Sequence, residues 1–315
     1  MTPVDRPRVT VGLPVYNGAR FLRETLDSLL AQTFEDFELI ICDNASTDDT
    51  PQICKEYAAK DSRIRYERQS ENVGAAANYN RTFELGTGEF FKWSAHDDLC
   101  RPRFLEECMA AFDEAGGNTP AVVHPKAVLI DESGELIRAD TDELALDAED
   151  PVTRFRHVIR NVRAANTVFG LFPRNVLEKT QLIAPHEASD WILLAEIALN
   201  GPIVCLDDVL FERRIHDDAS LRAIKLRGGG RRETVAWWDT RRVRLRTLVP
   251  FDVRTSYALF RAAARAPLGR RQRVRAWMVV PRVYWTRLIR FHGGRLKRRL
   301  RGESLNSPAV ISGES

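Results

Sequence analysis

Residues 8–15 read RVTVGLPV and residues 37–42 read FELIIC. Both are short apolar runs bounded by turn-forming residues, the pattern of strands buried on both faces. Between them Phe21, Leu22, Leu26, Leu29 and Leu30 recur at helical spacing, so the chain passes from strand through turn and helix to strand. The alternation continues outward. Ser46-Thr47-Asp48-Asp49 offers N-cap residues for a helix through Ile53, Tyr57 and Ala58. Residues 64–67 predict a third strand, 74–85 a helix and 89–94 (EFFKWS) a fourth strand. Residues 102–115 predict a helix with Phe104, Leu105, Cys108 and Phe112 on its apolar face. Repeated strand–helix units with short links predict an α/β fold, a Rossmann-like, mainly parallel sheet covered by helices.

Ligands of such sheets sit at the carboxyl ends of the strands. Tyr16 and Asn17 follow the first strand, Asp43 and Asn44 the second, Asn72 lies past the third, and His96-Asp97-Asp98 follows the fourth. Asn and Asp are ordinary turn residues, so one such cluster carries no weight. Four on one sheet edge predict a binding site. No GxGxxG follows the first strand and no GxxxxGK[ST] occurs, so neither a dinucleotide-binding fingerprint nor a P-loop is present.

With 315 residues, 44% hydrophobic and 29% charged, the chain can build one large α/β domain with an appendage or two modest domains, which excludes disordered and fibrous classes. No run approaches the roughly 18 apolar residues of a membrane span, and no basic-then-apolar leader opens the sequence. A soluble, cytoplasmic protein is expected. Cys42, Cys54, Cys100, Cys108 and Cys205 form no CxxC pair and are odd in number, so buried thiols are expected and not a zinc ribbon or disulfide framework.

The net charge of +3 hides an asymmetry: residues 1–221 carry −16 and residues 222–301 carry +21. This predicts a boundary near 222, a basic helical C-terminal region over 222–301, and a disordered tail over 302–315. Gly228-Gly229-Gly230 reads as a joint. Helical patterns follow through Trp237 and Trp238, Tyr257 to Ala266, and Val274 to Phe291, where tryptophans and aliphatics alternate with arginines. That mixture suits either an interfacial helix on an anionic membrane, at the inner face of the cytoplasmic membrane, or packing against the first domain. No nucleic-acid-binding motif accompanies it, so nucleic acid is not an expected partner.

VTVGLPVYNG, DNASTDDT, ENVGAAANYN, GEFFKWSAHDDLCRP, SDWILLAEIALNGP and VLFERRIHDDAS follow one another between residues 9 and 220. As an ordered set they resemble the successive motifs of glycosyltransferase family 2. The resemblance implies a GT-A fold and an enzyme that moves a sugar, with inversion, from a nucleotide-diphosphate donor (UDP-, dTDP- or GDP-linked) to a hydroxyl of a glycan or lipid-linked acceptor in cell-envelope or exopolysaccharide synthesis. It also implies a divalent cation, Mg2+ or Mn2+, since a diphosphate leaving group needs its charge neutralised. Asp97 matches the final position of the family's D-x-D, with Ala95 replacing the first aspartate. Asp98 is the neighbouring candidate for the metal, and His216 in an R-x-H element with Arg214 can reach metal or diphosphate. Pro14, Tyr16 and Asn17 match the loop along base and ribose, Asp43 the carboxylate that takes a hydrogen bond from the base, and Asn72, with Gly74 and Asn80, the N-x-G...N frame. Tyr79 stands where an arginine is common. Asp190 matches the catalytic base, and its place in the first turn of a helix favours the ionised form; Glu187 is the nearest substitute. Residues 166–174 (NTVFGLFPR) read as a strand on the acceptor side, and 132–134 as a hairpin turn. The competing expectation is a non-catalytic carbohydrate-assembly or scaffold protein that keeps the fold, with Ala95 as its hint.

Overall fold

The structure, a computed structural model, describes residues 6–116, 119–141, 143–162, 165–217, 228–241, 243, 248–286 and 289. The first half alternates as the apolar patterning requires: β1 (Val9–Val15), α1 (Ala19–Leu30), β2 (Phe37–Asp43), α2 (Thr50–Lys60), β3 (Ile64–Arg68), α3 (Ala75–Leu85), β4 (Phe90–Trp93), β5 (Leu99–Cys100) and α4 (Phe104–Glu114). There follow β6 (Val122–Ile130), β7 (Leu136–Ala139), α5 (Pro151–Asn161), β8 (Phe172–Pro173), α6 (Arg174–Leu177), α7 (Ser189–Asn200) and β9 (Ile203–Arg214). The basic region contributes α8 (Arg231–Trp238), α9 (Phe251–Arg265) and α10 (Arg270–Val279), and α10 runs on into a π-helical turn over Val280–Tyr284.

The main sheet has the order β3-β2-β1-β4-β8, in which β1 to β4 are parallel and β8 is antiparallel. Every residue of β1 is buried, which accounts for its unbroken apolar run. Pro14 does not end the strand: it pairs with Cys42 and the strand continues to Val15. The β4 partner stops opposite Gly12, so the missing N–H of Pro14 interrupts no pairing on that side. A second sheet, β5-β9-β6-β7, lies downstream, with β6 and β9 parallel and the β6–β7 hairpin turning at Ser133-Gly134. There Asp131 Oδ1 accepts from the N–H groups of Ser133 and Glu135 at 2.8 and 3.0 Å.

One correction to the sequence reading concerns a local element. Residues 166–174 are not one strand: Asn166–Phe169 form a 3-10 turn, and only Phe172–Pro173 pair with β4. At Pro281 the last helix widens into the π turn, a common way to absorb a missing N–H and a crowded carbonyl.

Two apolar cores cover the two faces of the main sheet. One gathers α1, α2 and α4 through Leu22, Leu26, Ile53, Phe104 and Phe112. The other joins Phe91 and Trp93 of β4 to Phe155 of α5 and Leu193 of α7, and it also contains Trp238, Leu259, Ala262, Ala276 and Tyr284 from the basic region. The boundary drawn at 222 therefore does not separate two cores. Residues 218–227, 287, 288 and 290–315, with the expected tail at 302–315, lie outside the described residues. Cys42, Cys54, Cys100 and Cys108 are buried free thiols. Among the described residues no helix is long and apolar enough to cross a membrane.

Candidate active site

Parallel pairing puts the carboxyl ends of β1, β2, β3 and β4 along one edge, and their loops are stitched to one another. Asn17 has a left-handed backbone (φ 50°). Its N–H donates to Ser46 Oγ at 2.9 Å and its Oδ1 accepts from Thr47 N at 2.8 Å. Asn72 Oδ1 accepts from Asn44 Nδ2 at 3.0 Å and from Gly74 N at 2.9 Å. Tyr16 stays exposed beside this frame, at 44%, free to lie against a planar ligand.

Asp43 is fully buried. Its Oδ1 accepts from Ser46 N at 2.8 Å, and its Oδ2 accepts from Tyr66 Oη at 2.9 Å and lies 3.2 Å from Arg68 Nε. Arg68 stands directly opposite Asp43 in the β2–β3 register and is half exposed, so it covers the carboxylate from solvent. Sequence reasoning gave Tyr66 and Arg68 no role. Their signal was the two-residue period of β3, which puts both on one face.

At the end of β4, Asp97 and Asp98 turn opposite ways. Asp97 Oδ2 lies 2.8 Å from His216 Nε2. Burial pushes the Asp97 carboxyl up, but His96 and the hydrogen bond from His216 outweigh it and hold it below the usual carboxylate range. Asp98 instead faces β9, where Oδ1 accepts the N–H of Arg214 at 2.9 Å. Burial and the neighbouring Asp97 raise its carboxyl to about 8. In this arrangement Asp98 anchors β9 to the loop through Oδ1. Arg214 is also fully engaged. Its guanidinium donates to Asp97 O at 3.0 Å, to Glu132 O at 3.0 Å and to Glu24 at 2.7 Å, over the ring of Phe21. It fixes the backbone of Asp97, and its own side chain is fully buried.

Among the described residues no cluster of three or more His, Cys, Asp or Glu side chains could hold a metal ion alone. The donors present nonetheless fit a hard cation completed by substrate. Mg2+ and Mn2+ are commonly held by one or two carboxylates with substrate phosphates supplying other oxygens, and Asp97 is a carboxylate of that kind, ionised and partly open (16%). His216 is buried with Nδ1 unpartnered.

Asp190 lies in the first turn of α7. Its Oδ1 accepts from Trp191 N at 2.8 Å. Burial raises its carboxyl above the ordinary range, with the backbone N–H groups of Trp191 and Asp190 pulling the other way. The helix start was expected to favour the ionised form; desolvation is the larger effect here. Glu187, the nearest substitute, is already committed to Arg254 at 2.8 Å. Tyr79 is buried between the two ends of the site: burial first, and then the negative charges of Asp97, Asp98 and Asp190, push its phenol upward, which puts all three carboxylates within electrostatic range of one side chain. Ala76, Tyr79 and Phe83 share one face of α3, and that spacing was the available signal. Asn80 has a structural task, pairing both amide atoms with the backbone of Ile183 at 3.0 Å.

The family described as Glycosyl transferase family 2 matches residues 10–158. The putative glycosyltransferase EpsE of Bacillus subtilis (strain 168) is 39% identical over 109 residues, 34% of this chain and 39% of that protein. The putative glycosyltransferase EpsH of the same organism is 29% identical over 213 residues, 68% of this chain and 57% of that protein. An uncharacterized glycosyltransferase of Rickettsia felis is 34% identical over 135 residues, 42% of this chain and 21% of that protein. The matched stretch is thus less than two thirds of each relative's length. The crystal structure of S. aureus TarS 1-349 in complex with UDP-GlcNAc superposes with a TM-score of 0.55 at 17% identity, covering 95% of this chain and 93% of that one. The complex of TarS 1-349 with UDP gives 0.54 at 18% identity, covering 91% and 92%. At these identities the likeness establishes the fold, a mixed α/β architecture of the GT-A kind. Fold and ordered motifs agree with the match, and residues 10–158 of this chain are thus similar to glycosyl transferase family 2.

Proposed function

We propose that the protein transfers a sugar from a nucleotide-diphosphate donor to an acceptor hydroxyl, with inversion. The observation that carries this reading is the gathering of Asp43, the Asn72 frame and the Asp97–His216 pair at the carboxyl edge of the parallel sheet, with Asp190 within electrostatic range of the same buried Tyr79. The binding of UDP and UDP-GlcNAc by TarS, a protein of like fold, supports a nucleotide-sugar donor.

In this reading the loop Pro14–Asn17 and the Asn72 frame receive the nucleoside, and Asp43 accepts from the base once the exposed Arg68 has swung aside. Asp97 and His216 would hold a divalent cation, Mg2+ or Mn2+, whose chemistry is to neutralise charge on the departing diphosphate. Asp190 takes the proton of the acceptor hydroxyl as its oxygen bonds to C1 of the sugar. The bond from C1 to the diphosphate oxygen breaks, and the nucleoside diphosphate leaves with the electron pair. Attack from the face opposite the leaving group inverts C1.

We place the acceptor in envelope or exopolysaccharide synthesis and the protein peripherally on the inner face of the cytoplasmic membrane. The +21 charge over 222–301 supports this, as do Tyr257, Val274, Trp277 and Trp285, exposed at 62, 51, 39 and 39%. The test is calorimetry of UDP, dTDP and GDP with and without Mn2+. Binding should strengthen with Mn2+ in the unaltered protein and lose that gain in Asp97→Asn. Equal affinity of the two proteins in Mn2+ sinks the assignment.

A further inference from the structure

A groove of about 380 Å³ runs between the start of α5 and the end of the α10 helix, apart from the sheet edge just described. Val152, Val279 and Val283 line its floor, and Arg156, Arg275 and Arg282 its rim. The size falls within the range of small-ligand sites, about 300–1,000 Å³. One of the three arginines is answered, since Arg275 donates to Asp150 at 2.9 Å. Among the described residues no carboxylate pairs with Arg156 or Arg282, and both are exposed.

The surroundings of the groove are apolar and face water. Val274, Trp277, Met278 and Trp285, on the same helix, are exposed at 51, 39, 39 and 39%. Outside residues 248–289 the exposed large apolar side chains are only Tyr16, Leu136 and Ile137 among the described residues, so the patch belongs to this region and not to the surface at large. Guanidinium groups bind phosphate through paired N–H donors. A free inorganic anion would use the rim alone, whereas the valine floor and the open Met278 match the first part of an acyl chain. The geometry points to a seat for one acidic phospholipid, its phosphate on Arg156 and Arg282 and its chain along Met278, Val279 and Val283.

The consequence is orientation. Val283 adjoins Tyr284, whose ring packs 5.8 Å from that of Trp191, the residue after Asp190. A lipid held in the groove therefore fixes the α7 end of the site relative to the bilayer. The inference deepens the membrane reading above, and the two can fail separately.

The experiment is flotation of the full chain with phosphatidylcholine vesicles, with and without phosphatidylglycerol. Arg156→Gln/Arg282→Gln is compared with Arg270→Gln/Arg271→Gln, which removes the same charge from exposed positions at the opposite end of α10. A basic group held at an anionic surface contributes up to about fivefold in affinity, so the groove pair, set on the phosphate, should cost about thirtyfold and the control pair, set away from it, only a few-fold. Millimolar glycerol 3-phosphate, a headgroup without chains, should not displace the protein. Equal losses in the two double variants would overturn the seat while leaving diffuse membrane attraction in place. Displacement by glycerol 3-phosphate would assign the groove to a soluble anion. If the intact protein binds neither vesicle, the seat and the membrane reading both fall.

Discussion

Adjacent aspartates divide the work at the end of β4. Asp98 spends Oδ1 on the N–H of Arg214 at 2.9 Å, and an asparagine oxygen can accept the same bond. Asp98→Asn should therefore fold and bind nucleotide with Mn2+ nearly as the unaltered protein does, in contrast to Asp97→Asn; equal loss in both, measured by calorimetry, would return Asp98 to the cation. Asp190 is assigned proton abstraction, a contribution of about 10²- to 10⁴-fold. Asp190→Asn should bind donor normally and lose transfer by that factor. A base works only when deprotonated, and burial raises this carboxyl. The acid limb of the pH–rate profile should consequently lie above the ordinary aspartate value of about 4, with rate falling as pH drops through it. A limb at or below that value would contradict the assignment. Gly74 is constrained twice, by φ of +89° and by the backbone of Trp238 and Asp239, which a Cβ would meet at 2.8 and 2.9 Å. Backbone cannot yield as a flexible side chain does, so Gly74→Ala should cost about 1–3 kcal/mol in a denaturant titration.

The segment leading into α7 is held from the basic region at both ends. Ala188 has φ of 61°, a conformation that persists in a non-glycine residue when its surroundings over-determine it. Three residues before Asp190, Glu187 pairs with Arg254 of α9, at side-chain exposures of 20% and 11%; one residue after, Trp191 packs on Tyr284. Arg254 also buries Nε and Nη1 without partners, so Glu187 is its main compensation. Arg254→Met should cost about 1–3 kcal/mol and speed hydrogen exchange over 184–191 more than elsewhere, with Arg254→Lys recovering part of both. A uniform rise in exchange would reduce the pair to general stability. Further along α7, burial raises the Glu196 carboxyl to about 7, against the pull of Gln181 N–H and Arg265. The folded protein then holds a proton that the unfolded chain releases near pH 4.5, so this group's contribution is full below about 4.5 and is lost as pH rises to about 7. Glu196→Gln should flatten the fall in stability over that window; denaturation midpoints that run parallel in the two proteins would refute it.

The opposite charges of the two parts of the chain meet across their contact. Arg241 faces Glu71 at 3.8 Å, Arg254 Glu187 at 2.8 Å, Arg265 Glu196 at 3.4 Å and Arg275 Asp150 at 2.9 Å. Beneath these pairs Leu259, Ala262, Ala276 and Tyr284 share a core with α5 and α7. A fragment ending at residue 221 would open that core to water, at roughly 25 cal/mol for each Å² of apolar surface. It should bind a hydrophobic dye and melt without cooperativity. A cooperative melt with unchanged nucleotide affinity would show instead that the first part stands alone. For the same reason loss of vesicle binding on truncation is uninformative, and surface substitutions such as those at Arg156 and Arg282 are the sound test.

The α/β alternation, the parallel edge and the polar residues collected on it were legible in the sequence, because burial imposes periods of two and 3.6 on apolar residues and because strand ends follow one another in order. RVTVGLPV, FELIIC and the Asp97-Asp98 pair follow from residue type and spacing alone. Residues 166–174 misled, since an apolar run of that length is equally a 3-10 turn and a short strand, and pairing with β4 decides. What only tertiary structure decided is direction and company. Asp98 turns to β9 while Asp97 turns to His216, Arg68 covers Asp43, and the basic extension joins the core beside Asp190. Local sequence fixes which residues reach an edge; where each carboxylate points, and how hard it is to ionise, depends on hydrogen-bond donors and burial supplied by segments more than a hundred residues away.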